Sequence, residues 1–264
     1  MSAFAQVFDP LFRVPFGNGL LLAFVLPLLG AYVRLRNEWL AALGLAQVTA
    51  AGGVTAILLG VHPLAGAIGA AVVAAGIKSR TERSGNDVYA VFLFFGWSAA
   101  LLGAANSTKG EELSHALLEG QLYFTTWANL GAAVALVALV AAAGPWLSRR
   151  LLLEHFFPEN MAANGRSPWR LHLGFDLLVA LSVALATQSI GVMATFCLVF
   201  FPPWVAFRIA ASWKRALVHC AGISVTAYLA AFVVAILFDQ PFGPVLVGTL
   251  VAFGLVRLPF RPKR

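Results

Sequence analysis

Few side chains in the apolar stretches of this chain could take part in chemistry, and each is costly in a membrane unless it is paired or hydrated. Gln47 and Thr49 lie close together in one stretch, and Asp176 and His219 lie in two later ones. Gln47 is eight residues past Trp39. At a helical rise of ~1.5 Å per residue it is expected near mid-membrane. Side chains of this kind often line an ion or solute pathway.

Two interpretations fit Asp176 and His219. They are one or two helical turns from Arg170 and Arg215. They therefore either line a pathway or reach the headgroups at the end of their spans.

A proline pair, Pro202-Pro203, interrupts another apolar stretch. Two missing backbone donors predict a broken helix. Pro202 then lines a cavity or marks a packed kink.

Acidic and histidine side chains recur at three- and four-residue spacing between two apolar stretches, at Glu111, His115 and Glu119, with Glu112 beside them. On a helix these oxygens and nitrogens would share a face and could gather a divalent ion. The alternative is a solvated helix face.

The longest basic, polar segment between apolar runs extends from Arg149 to Arg170. Its middle predicts a short helix, because Pro158 suits the first helical position, Glu159 favours the positive end of the helix dipole, and Gly165 can adopt the left-handed closing conformation. Such a helix is either a docking element for a soluble partner or an ordinary surface helix.

Composition predicts a multi-span helical membrane protein, since 60% of the 264 residues are hydrophobic, 11% are charged and the mean hydropathy is +0.85. Cys197 and Cys220 both lie in apolar runs, which excludes a disulfide framework. No phosphate-binding loop and no HExxH, GxSxG or CxxC motif occurs. The remaining classes are an ATP-driven permease subunit, an ion-coupled secondary carrier, and an intramembrane enzyme without a visible catalytic set.

Apolar runs predict an all-α, polytopic bundle of about nine transmembrane helices with a short cytoplasmic coupling helix. The first 18 residues lack a basic n-region and are expected to be interfacial, not a signal peptide. The predicted spans are 19–34, 39–60, 62–77, 88–105, 128–148, 171–187, 189–210, 216–238 and 241–258. The Gly- and Ala-rich second and third spans are expected to pack closely inside the bundle.

Basic residues fix the predicted orientation. With nine spans and an outward N-terminus, sixteen of the eighteen Lys and Arg residues fall on the cytoplasmic side, and Arg13 and Lys109 remain outside. This places the C-terminus and the segment from Arg149 to Arg170 in the cytoplasm. Tryptophans are also expected near span ends, at Trp39, Trp127, Trp146, Trp169 and Trp213.

A series of short motifs follows one order along most of the chain. They are Phe8-Asp9-Pro10-Leu11 with Pro15-Phe16, Asp87, Leu117-Leu118-Glu119-Gly120 with Trp127, Phe156, Pro158, Glu159, Ala163 and Gly165, Arg170-Leu171-His172-Leu173, Gln188, Gly191-Val192 and Pro202, and Asp239, Pro241, Gly243 and Pro244. The series resembles the permease subunit of bacterial zinc, manganese and iron ABC importers.

The resemblance implies a single transmembrane permease domain over residues 1–264 in the bacterial inner membrane, working as a dimer with a second permease copy. Each copy would dock a cytoplasmic ABC ATPase, which uses the ATP, and an extracytoplasmic metal-binding protein would deliver the metal. No cofactor is expected on this chain itself. ATPase coupling is implied for Pro158, Glu159, Met161, Ala162 and Gly165.

Two positions depart from the family pattern. The family's second span carries an aspartate and, four residues on, a histidine that meet the metal, whereas this chain has Leu43 and Gln47 there. An amide oxygen is a poor substitute for imidazole or carboxylate. The ion therefore crosses with fewer ligands, a non-identical partner permease supplies them, or the cargo is different, such as a metal chelate.

The distribution of basic residues makes a topology prediction. In a background lacking Cys197 and Cys220, a cysteine at Ser107 should react with an impermeant thiol reagent in intact cells, whereas one at Ser167 should react only after permeabilisation. The reverse pattern would overturn the orientation, and equal labelling of both would contradict the span count.

Overall fold

The computed structural model describes residues 9–81, 86–106, 108, 120–157, 159 and 169–255. Within them the chain forms nine α-helices and no β-strand. The helices are α1 (Arg13–Leu35), α2 (Ala41–Leu58), α3 (Pro63–Arg80), α4 (Asn86–Ala105), α5 (Trp127–Phe156), α6 (Trp169–Ile190), α7 (Val192–Ile209), α8 (Trp213–Leu237) and α9 (Phe242–Leu255). Short 3-10 turns occur at Pro10–Phe12 and Leu122–Phe124.

The nine helices correspond one to one to the nine predicted apolar runs, and the all-α membrane class is confirmed. Seven of the described helices are long and apolar enough to cross a membrane. The other two are α3, which has 18 residues and is rich in Ala and Gly, and α9, which has 14. Crossing by α3 and α9 therefore remains a prediction.

Helix α5 extends beyond the predicted span. The run was expected to end at residue 148, but the helix continues to Phe156 and includes Arg149 and Arg150. The polar segment therefore begins as helix, and α6 begins at Trp169. Of the coupling residues, Glu159 is helical and exposed. Pro158, Met161, Ala162 and Gly165 lie outside the described residues.

The ends of several helices meet at one pole, which we call the basic end: the ends of α1, α3 and α5 and the starts of α2, α4 and α6. Two contacts near this pole join distant segments. The Tyr32 hydroxyl near the end of α1 donates to Ser148 Oγ of α5 at 2.6 Å. The Asn86 side chain at the start of α4 accepts from Leu40 N at 2.9 Å. Residues that are far apart in the sequence are thus held together at this pole.

Glycine permits close packing around α2, as predicted for the Gly- and Ala-rich spans. A Cβ at Gly96 of α4 would strike the backbone of Gln47, and one at Gly52 of α2 would strike Ala70 and the Gly66 carbonyl of α3. Such contacts place the backbones of α2, α3 and α4 against one another, so α2 lies within the bundle.

The predicted helix break at the proline pair is wrong. Pro202 and Pro203 are buried inside α7, which is continuous from Val192 to Ile209. Proline leaves the carbonyl four residues earlier without its helical donor, and for Pro203 that carbonyl belongs to Val199. A Cβ at Gly30 of α1 would fall on this carbonyl. Close packing of α1 against the weakened turn supports the helix, and weak Cα–H···O contacts are typical of such approaches.

This packing predicts a position-specific cost for filling a glycine. Gly30→Ala should lower the free energy of unfolding by about 2 kcal/mol, because the new methyl group must displace the α7 backbone. The matched control is Gly222→Ala on α8, where a Cβ meets nothing within 4 Å. Thermal unfolding of the purified protein in detergent measures both, and equal melting temperatures would contradict the packing argument.

Candidate functional site

Four ionised side chains form a buried cluster at the basic end, which we call the ion cluster: Arg36, Glu38, Lys78 and Asp176. The Lys78 ammonium lies between two carboxylates, 2.9 Å from Glu38 Oε1 and 2.8 Å from Asp176 Oδ2. The Arg36 guanidinium also contacts both, at 2.8 Å from Asp176 Oδ1 and 3.2 Å from Glu38 Oε1. Two cations and two anions therefore form a closed, neutral quartet.

Burying these charged side chains costs free energy. The side chains of Lys78, Asp176 and Glu38 are only 6%, 4% and 3% exposed. Ions removed from water are tolerated when each meets an opposite charge. Burial alone would lower the pKa of Arg36, but the Asp176 and Glu38 carboxylates outweigh it and hold that pKa above its ordinary value. Each buried ion of the quartet is thus tolerated because it contacts an opposite charge.

A helix-end motif aims Glu38 into the cluster. Asn37 has φ 58°, the left-handed conformation, and its N–H donates to the Arg34 carbonyl at 3.0 Å. The Glu38 N–H donates to the Val33 carbonyl at 3.0 Å. This pair of bonds is the Schellman motif, for which asparagine is the common alternative to glycine. It ends α1 and turns the chain inward before α2.

Aromatic rings surround the cations of the cluster. The Arg36 guanidinium lies 5.1 Å from the Phe175 ring centroid, and the Lys78 ammonium lies 5.5 Å from that of Tyr89. The Tyr89 hydroxyl is 3.5 Å from Glu38 Oε2. Ring faces attract cations without adding net charge. The site therefore involves α4 as well as α3, α6 and the link between α1 and α2.

A cavity of about 400 Å³ opens beside the ion cluster. Its far wall is formed by the end of α5 and the start of α6, where His172 Nε2 and Glu154 Oε1 are 2.7 Å apart. The residues lining it are Leu35, Arg36, Glu38, Lys78, Ser79, Thr81, Leu151, Glu154, His155, Trp169, His172 and Asp176. The cavity thus lies between the quartet and the two helices that flank residues 157–168.

The predicted pathway residues lie on four different helices. Gln47 and Thr49 are buried in α2, Pro202 is buried in α7, and His219 is half-buried in α8. Asp176 is buried in the ion cluster, where its carboxylate contacts Arg36 and Lys78. In the described part of the chain, no hydrogen bond or ion pair joins any two of these five residues, and their role in a pathway stays a prediction.

The outer-face candidates Glu111, His115 and Glu119, with Glu112, lie outside the described residues. Over the residues that the structure does describe, no group of three or more His, Cys, Asp or Glu side chains is placed to hold a metal ion. Cys197 and Cys220 are buried and unpaired, as expected for packing residues.

Sequence reasoning missed three members of the quartet and its ring partner Tyr89. Arg36 and Lys78 were interpreted only as markers of topology, and Glu38 was not considered. A signal was available, because Arg36, Glu38, Lys78 and Asp176 all lie within two turns of a predicted span end on the same side. Acids among the bases at one depth of a membrane bundle indicate pairing, because each ion is costly there without an opposite charge.

The described helices and the cavity define a multi-span helical membrane protein with a polar cavity at one pole. This chain belongs to the ABC 3 transport family, whose model matches residues 9–260. Membership favours the ABC permease over the ion-coupled carrier.

Two curated relatives match nearly the whole chain. A probable iron transport system membrane protein of Haemophilus influenzae is 22% identical over 92% of this chain and 91% of its own length. A chelated iron transport system membrane protein of Yersinia pestis is 24% identical over 97% of this chain and 88% of its own. Each alignment thus covers more than nine-tenths of this chain.

Two solved structures share the fold. PsaBC from Streptococcus pneumoniae, determined with a Fab, aligns over 98% of this chain and 97% of its own chain, with a TM-score of 0.83 and 17% identity. A protein described as a metal-chelate type ABC transporter, in an inward-facing conformation, aligns over 92% and 85%, with a TM-score of 0.71 and 16% identity. The helices of this chain are therefore arranged as in these two solved structures.

Proposed function

We propose that this chain is the transmembrane permease subunit of an ABC importer for divalent metal ions or a metal chelate. The observation that carries the proposal is the family match over residues 9–260 together with two full-length relatives whose names specify iron transport. Zinc and manganese belong to the same cargo class as iron, and the relatives' names favour iron or chelated iron among them. The chain carries no phosphate-binding loop, so ATP hydrolysis falls to a partner.

The assembly proposed around this chain has three further components: a second permease copy, a cytoplasmic ABC ATPase and an extracytoplasmic metal-binding protein. The basic end faces the cytoplasm in this proposal, because most of the Lys and Arg residues that the structure describes lie near it. Residues 157–168 then dock the ATPase between α5 and α6. The exposed, helical Glu159 is available to such a partner.

The cargo passes α2 without meeting a charged side chain in this proposal. Gln47 is buried, and Leu43 lies one turn earlier in the same helix. An amide donates and accepts hydrogen bonds but carries no charge, so it provides a weakly held step and not a deep binding site. Thr49, Pro202 and His219 are the other proposed pathway residues.

The decisive test is metal uptake by proteoliposomes that contain the permease, its ATPase and its binding protein. Uptake of radioactive iron, manganese or zinc should require ATP inside the compartment that holds the ATPase, and dissipating ion gradients should not abolish it. Gly165→Val with Glu159→Lys should reduce uptake while membrane insertion is retained, because both changes affect the proposed docking segment. Gradient-driven, ATP-independent uptake would contradict the proposal.

A second prediction concerns Gln47. Gln47→Leu should slow uptake about fivefold, the rate equivalent of one lost hydrogen bond of about 1 kcal/mol. Gln47→His combined with Leu43→Asp should strengthen zinc retention by the purified permease, because it supplies imidazole and carboxylate ligands. Unchanged uptake in Gln47→Leu, with zinc retained by the wild type and lost in a His219 variant, would move the site away from Gln47.

A further inference from the structure

The ion cluster joins the part of the chain proposed to dock the ATPase to the part proposed to carry cargo. Asp176 lies in the second turn of α6, which begins at Trp169, directly after residues 157–168. The other acid of the cluster, Glu38, lies three residues before α2, the helix of Gln47. Two ionic contacts through Lys78 therefore span the distance between α6 and the entrance to α2.

A second contact joins the two helices that flank the docking segment. Glu154, two residues before the end of α5, lies 2.7 Å from His172 in the first turn of α6. His172 and Asp176 are four residues apart, so they share one face of α6, and both line the cavity. A displacement of residues 157–168 would therefore move α5 and α6 together and act directly on Asp176.

We infer that the ion cluster is a transmission element, in which Lys78 and Glu38 are positioning residues that convert movement of α6 into movement of α2. The inference rests on the proposed function. Packing alone does not require four buried ions, because apolar replacements of buried ion pairs are often as stable or more stable. Ionic contacts differ from apolar ones in having discrete partners, so the quartet can exchange one pairing for another.

The cavity provides the room that such an exchange needs. It is about 400 Å³ in volume and borders all four ionised side chains. When α6 moves, the ammonium of Lys78 can leave Asp176 and stay with Glu38. The carboxylate of Asp176 then stays paired with the guanidinium of Arg36. Every ion retains an opposite charge in that arrangement, so the barrier is far lower than for exposing an unpaired buried ion.

The test uses the complete reconstituted complex and measures metal imported per ATP hydrolysed. Glu38→Gln combined with Lys78→Gln removes one anion and one cation, which leaves the Arg36–Asp176 pair balanced. We expect the complex to assemble and to hydrolyse ATP, while metal imported per ATP falls about tenfold, a typical size for coupling between sites. The single variant Lys78→Arg, which keeps the charge, should retain at least half of the wild-type amount of metal imported per ATP.

Two controls separate transmission from stability. Ser148→Ala removes the Tyr32–Ser148 contact at the same pole but touches no member of the quartet, so its uptake per ATP should equal that of the wild type. Thermal unfolding and gel filtration report folding and assembly of every variant. A normal ratio in the folded Glu38→Gln, Lys78→Gln variant, or an equal loss in Ser148→Ala, overturns the inference. If the wild-type complex itself imports no metal with ATP, the proposed function fails instead.

Discussion

The cost of placing charge in a low-dielectric bundle governs how polarity is distributed in this protein. The free-energy cost of burying an isolated ion is prohibitive, and the cost of burying an ion with a partner of opposite charge is tolerable. The chain meets this constraint by collecting two acids and two bases at one pole and by keeping the middle of α2 uncharged. Each ion of the quartet needs an opposite charge, so the α1–α2 link, α3 and α6 must present paired ions at this pole in every conformation.

Much of the fold could be predicted because hydrophobicity and helix length are local properties. Nine apolar runs became nine described helices, and Trp127, Trp169 and Trp213 are the first residues of α5, α6 and α8. The errors arose where tertiary packing overrode local preference. Pro202 and Pro203 do not break α7, because α1 approaches at Gly30 and supports the turn. Likewise, α5 runs past its apolar stretch to Phe156, with Arg149 and Arg150 exposed and Glu154 and His155 lining the cavity.

The site was harder to predict for a physical reason. Arg36, Lys78 and Asp176 lie far apart in sequence, and their meeting depends on how three helices cross, which periodicity does not report. Basic residues at span ends have two roles that look the same in sequence: they orient the chain, and they neutralise buried acids. Glu38 helps to distinguish them locally, since an acid beside Arg36 at a predicted cytoplasmic end has no role in orientation. Its position after the left-handed Asn37 could have indicated that it turns inward.

The separation of charge from the middle of the bundle bears on how a cation could cross. A divalent ion held by carboxylate and imidazole at mid-membrane would be bound tightly and released slowly, whereas the amide of Gln47 offers a shallow well. In the proposed pathway past Gln47, selectivity would come from delivery and from the width of the pathway, and not from a ligand set in α2. Control of that pathway would come from movement, because a weak binding site neither retains the cargo nor prevents its return. A pole at which paired ions link α6 to α2 is a physically suitable place for that control, since the ions there are held by partners and not by cargo.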